Sequence, residues 1–175
     1  MAAPLRLVVY GALVVLAIGL QVGPFSELAI RGVAPDLLLL VVVAVALVQG
    51  PERAALIGFV GGLALDLAPP ADHVAGRWAL ALVVVGFLVG LVRDDARQGL
   101  LPIMGAVAAA SFVATSVFAL TGLILDEPGV TVGRVLEVIP VAVAYDTALA
   151  LLTVPLLMAL VRRLEPDRDE WVRAA

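Results

Sequence analysis

The chain has 175 residues, 63% of them hydrophobic, with a mean hydropathy of +1.13 and a net charge of −4. That apolar content excludes a disordered chain and argues against a soluble enzyme, which could not bury so much apolar surface at this length. No Cys is present and His73 is the single His, so disulfides, thiolate chemistry and His-rich metal sites are excluded, and the net negative charge provides no nucleic-acid footprint.

A membrane-spanning helix needs about 20 apolar residues, and the apolar runs predict six. The first is 5–22, with Arg6 at its edge; Pro24 and Phe25 interrupt any small-x-small cleavage signal, so the run reads as a retained span rather than a secretory signal. The second, 35–49, opens on Pro35 and closes at Gly50. The third, 54–67, follows the tight break Gly50-Pro51-Glu52-Arg53. Both are short against the ~17–25 residues a span normally takes, so the hairpin either thins the bilayer or is shielded by other helices. A polar loop with Asp72, His73 and Arg77 leads to the fourth run, 78–92, which ends at Arg93–Gln98. The fifth, 99–125, is the longest. The sixth, 138–161, precedes a charged tail, 162–175. None alternates with period 2, which disfavours barrel strands. The expected fold is an all-α integral membrane protein, a single six-helix bundle over 1–175.

Arginine placement predicts the orientation. With a cytoplasmic N-terminus, Arg6, Arg53, Arg93, Arg97, Arg162, Arg163, Arg168 and Arg173 lie inside, and Arg31, Arg77 and Arg134 lie outside. Basic residues favour the cytoplasmic side, so both termini are expected there.

The charged residues within or beside the spans are the candidates for chemistry. Asp36 follows Pro35 at the start of the second span, where a carboxylate satisfies free helix N–H groups and suits the dipole. Asp66 ends the third span, where the dipole disfavours a negative charge; a turn role or pairing with Arg77 would account for it. Asp146 lies about eight residues into the sixth run, at a depth where a carboxylate costs roughly 2.5–3.5 kcal/mol. It reads either as a proton or ligand site or as a packing group, bonded through Thr147, Tyr145 or a Ser or Thr of the fifth span. With no second acid in view, a lone Asp146 makes a poor proton relay. Gly58 with Gly62, and Gly86 with Gly90, form GxxxG patterns that let helix backbones approach closely; Ala106, Ala110 and Ala114 make a similar row. Trp78 suits an interfacial anchor. No Walker loop, Ser-His-Asp set or paired catalytic carboxylates occur, so no catalytic, cofactor or metal site is assigned.

The order Pro35-Asp36-Leu37, Gly50, Gly58-Phe59-x-x-Gly62, Asp66 and Gly76 resembles the rod shape-determining protein MreD family over residues 35–80. Tyr145-Asp146 falls where that family would place a Tyr-Asn-like pair, so the Asp is a departure. The resemblance implies a non-enzymatic membrane component of the bacterial cell-wall elongation complex. Such a protein would act in the cell membrane beside a bitopic MreC-like protein, MreB-like and RodA-like partners, without cofactor or nucleic acid. The same resemblance implies a fold similar to the substrate-binding subunits of energy-coupling-factor vitamin transporters, and hence the alternative of a vitamin-binding subunit. For that alternative a small-residue row is expected on the first span, where Gly11 and Ala12 have no small partner four residues on.

Overall fold

A computed structural model describes residues 3–69 and 74–164. The first apolar run forms α1, Ala3–Val22, and Pro24–Ser26 adds a 3-10 turn. A reversal closed by an Ile30–Val33 bridge leads to α2, Leu37–Gln49. Gly50, at φ +92°, turns the chain directly into α3, Pro51–Asp66, with Pro51 in the first turn, where its missing N–H costs nothing. α4 is Arg77–Leu91, α5 is the single turn Arg93–Ala96, α6 is Leu100–Ile124 and α7 is Val132–Arg163.

Two length classes result. α1, α6 and α7 have 20, 25 and 32 residues, and the helical stretches Pro4–Ser26, Leu100–Ile124 and Val132–Arg163 are long and apolar enough to cross a membrane. α2, α3 and α4 have 13, 16 and 15 residues, or about 20–24 Å at the usual helical rise. The protein is therefore all-helical among the described residues and has the character of a membrane protein.

The core is α2. Every residue from Leu38 to Val48 is buried, and α2 touches all six other helices. A helix that is apolar on every side has no polar face to give to solvent and belongs at the centre. α1 and α7 instead expose apolar side chains outward, among them Leu7, Val15, Leu136 and Leu152. α2 runs parallel to the second half of α7: its first residues meet Asp146, and Val154, Met158 and Val161 are buried farther along.

Three boundaries differ from the sequence expectation. The break at Arg93–Gln98 contains α5. α3 begins at Pro51 rather than 54, inside the expected break. α7 begins at Val132 rather than 138, because Thr131 caps it by accepting the Arg134 N–H at 3.3 Å. Pro140 and Pro155 lie inside α7 without ending it; in a bundle, neighbouring groups and local adjustment absorb the lost backbone bond. His73 and Trp171, read from the sequence as a solvated loop residue and a tail aromatic, lie outside the described residues.

Candidate functional site

A helix leaves its first N–H groups without intrahelical partners. At α2, side chains from two other helices and its own cap supply the acceptors. Asp36 accepts the Leu39 N–H through Oδ1 at 2.9 Å, which is the capping role expected of it. Gln21 of α1 accepts the Leu38 N–H through Oε1 at 3.2 Å. Asp146 of α7 accepts the Asp36 N–H through Oδ1 at 2.8 Å, and its Oδ2 accepts the Ser111 hydroxyl of α6 at 2.6 Å. Four helices therefore converge on the α2 N-terminus, midway along both α6 and α7. Asp36, Ser111 and Asp146 are 7, 0 and 2% exposed. The carboxylate of Asp146 is thus bonded to a serine of α6, the fifth apolar run. Tyr145 is used elsewhere, donating its hydroxyl to Leu28 O at 2.8 Å, and the buried Thr147 Oγ1 has no partner.

The second junction repeats the device at α4. Asp66, 1% exposed at the end of α3, accepts the Gly76, Trp78 and Ala79 N–H groups at 2.9, 3.1 and 3.1 Å. Its charge therefore faces the positive end of the next helix, which removes the dipole objection raised by its place in α3. Gly76 sits at φ +100°, the left-handed region that lets its N–H turn toward Asp66. Arg77 begins α4 and is 3% exposed. Its guanidinium pairs with Glu127, donates to Phe118 O at 2.6 Å and to Thr121 Oγ1 at 3.3 Å, and lies 3.8 Å over the Phe118 ring. Glu127 also accepts the Val74 N–H at 2.8 Å. Trp78 is half-buried and stacks on Phe118 of α6 with centroids 4.5 Å apart.

Between these junctions, α3 and α4 lie against one another along their glycines. A Cβ on Gly58 would stand 2.5 Å from Leu82 O, and one on Gly62 would stand 2.5 Å from Ala79 Cα. From the other side, a Cβ on Gly86 would stand 2.8 Å from Ala54 C, and one on Gly90 would meet the Pro51 backbone. The two GxxxG patterns thus form one seam inside the chain. Phe59, within the first pattern, points outward and is 50% exposed. Pro35 is buried beside the α2 cap, and the space beside Gly50 is filled by the Arg93 guanidinium.

Apart from the outward-facing Phe59, the sequence candidates lie at two capping junctions, one seam and the α2–α3 turn. Ser111 is one of the fifth-run Ser and Thr residues expected as partners of Asp146. Gln21, Phe118 and Glu127 do not stand out in the sequence, although Gln21 carries a signal as an isolated polar group inside an apolar run. Among the described residues no three His, Cys, Asp or Glu side chains gather so as to hold a metal ion. An apolar groove of about 820 Å³ runs between α6 and α7 past Phe112, Pro140 and Thr147, and smaller apolar grooves lie on other helix faces. Compared with protein-family models, characterised proteins and solved structures, the chain matches none.

Proposed function

We propose that the protein is a six-span, non-enzymatic scaffold of the bacterial cell-wall elongation complex, similar to the MreD family, with α1, α2, α3, α4, α6 and α7 as its spans and α5 as a surface turn. The observation that carries this reading is the joint use of the resembling residues. Gly58, Gly62, Asp66 and Gly76 join α3 to α4, Gly50 turns α2 into α3, and Asp36 caps α2. A sequence pattern spent on internal joints suits a protein that works by presenting a fixed shape. Among the described residues the buried charges Asp36, Asp66, Arg77 and Asp146 are committed to helix ends and to one ion pair.

Its place in this reading is the cell membrane, with both termini cytoplasmic. The helix ends near Gly50 carry Arg6, Arg53, Arg93, Arg97, Arg162 and Arg163, and the opposite ends carry Arg31, Arg77 and Arg134. That asymmetry favours the first set as the inner side. Outward apolar faces on α1 and α7 would meet lipid and the spans of MreC-like and RodA-like partners.

The test is depletion in the host, with cell width and the pattern of new wall synthesis as readouts, joined to co-purification in mild detergent with a bitopic MreC-like protein. Widening cells and a retained bitopic partner are expected. Unchanged shape and wall pattern, with no such partner, would refute the reading, and a stoichiometric vitamin in the purified protein would transfer the assignment to a transporter subunit.

A further inference from the structure

We propose that Asp36 is a proton-binding site, holding one proton on Oδ2 at the junction of α1, α2, α6 and α7 while Asp146 is ionised. The inference concerns this junction alone and stands apart from the cell-wall reading. It rests on an imbalance of partners. Both oxygens of Asp146 accept hydrogen bonds, from the Asp36 N–H and the Ser111 hydroxyl. Asp36 Oδ1 accepts the Leu39 N–H, but Asp36 Oδ2 is buried with no partner.

Charge points the same way. The α2 N-terminus supplies the equivalent of about half a positive charge, and it faces two carboxylates. That compensates at most one of them in part. Among the described residues no arginine pairs with Asp36 or Asp146. The groups on the surrounding elements are otherwise engaged or distant. α1 contributes the neutral Gln21, whose side chain also borders the Asp36 carboxyl, α6 the Ser111 hydroxyl, and α7 Asp146 itself with Tyr145, whose hydroxyl is bound to Leu28 O. At the same end of the bundle, Asp66 of α3 caps α4, and Arg77 of α4 is taken by Glu127, Phe118 and Thr121. Glu27, Arg31, Arg134 and Glu137 are exposed, and α5 with Arg93, Asp94, Asp95 and Arg97 lies at the Gly50 end of α2. A second buried anion without a partner is far costlier than a neutral carboxyl in the same place. The proton goes to the oxygen that accepts nothing.

The structure thereby supplies what the lone Asp146 of the sequence lacked, a second acid in contact. Opening the junction would expose Asp36 to water and release the proton, so separation of α2 from α7 and proton release are one event. Two measurements test this on the full chain in lipid nanodiscs. Infrared difference spectra at pH 7 should contain the C=O stretch of a protonated carboxyl, lost in Asp36→Asn and kept in Asp66→Asn. Reversible unfolding of the wild type and Asp36→Asn should diverge with pH. The native state holds a proton that the unfolded chain releases above the ordinary carboxylate range. Wild-type stability relative to the variant should therefore fall by up to tenfold in the folding constant per pH unit as pH rises. Asn keeps the oxygen that caps Leu39 and is neutral at every pH, so the variant removes the proton without removing the cap. Absence of the carboxyl band from the wild type, parallel pH curves, or a sodium-specific stabilisation lost in Asp36→Asn would each overturn the proposal, the last by assigning the compensating charge to a metal ion.

Discussion

Replacing Gly58 or Gly62 with Ala tests the seam between α3 and α4. The added Cβ would lie 2.5 Å from Leu82 O in the first case, and 2.5 and 2.6 Å from Ala79 Cα and N in the second. These are backbone atoms, so no side-chain rotation relieves the contact and the helices must separate by close to an ångström. Overpacking of this kind costs typically 1–3 kcal/mol, and a rigid backbone neighbour places it at about the upper value. Ala recovers about 1 kcal/mol over Gly from helix propensity. The net expectation is a loss of about 2 kcal/mol at each site. Gly105 of α6 provides the control, because nothing lies within 4 Å of a Cβ there; Gly105→Ala should be neutral or gain up to about 1 kcal/mol. Reversible unfolding in mixed micelles reads all three variants. Gly58→Ala and Gly62→Ala matching Gly105→Ala in stability would refute the close approach, and with it the internal use of both GxxxG patterns.

Three further expectations use the same assay. Asp66→Ala removes the acceptor of three N–H groups, of which the Ala79 N–H is fully buried; at about 1–3 kcal/mol for a stranded buried donor, a loss near 3 kcal/mol is expected, with Asp66→Asn intermediate and a loss under about 0.5 kcal/mol contradicting the capping role. Arg77→Met leaves Glu127 without its cation and should cost about 3–5 kcal/mol, while the double variant Arg77→Met with Glu127→Gln should recover part of that loss; strict additivity would show that the two do not act as a pair. Asp146→Ala strands the Asp36 N–H and the Ser111 hydroxyl and should destabilise more than Ser111→Ala, which loses one hydrogen bond worth about 1 kcal/mol; equal effects would argue against the Asp36 bond.

Features with local causes are legible in the amino-acid sequence. Apolar runs and their breakers placed the helices to within a few residues, because hydropathy, proline and glycine act on their own stretch of chain. The cap at Asp36 was legible for the same reason, since the N–H it accepts lies three residues on. Gly58 and Gly62 announced a close approach, but not that the answering surface would carry Gly86 and Gly90. α5 and the early start of α7 were missed because a charged turn and a Thr-capped, proline-containing helix look alike to a hydropathy count. The roles of Asp66 and Asp146 emerge only once the helices pack. A carboxylate satisfies whichever N–H groups the fold brings to it: those of Asp66 lie 10–13 residues away across a turn, and that of Asp146 lies 110 residues away. Asp66 looked unfavourable because its own helix ends there, and it is favoured because another helix begins beside it. Asp146 looked solitary because distance along the chain hid Asp36, and packing against the central helix made the two acids neighbours.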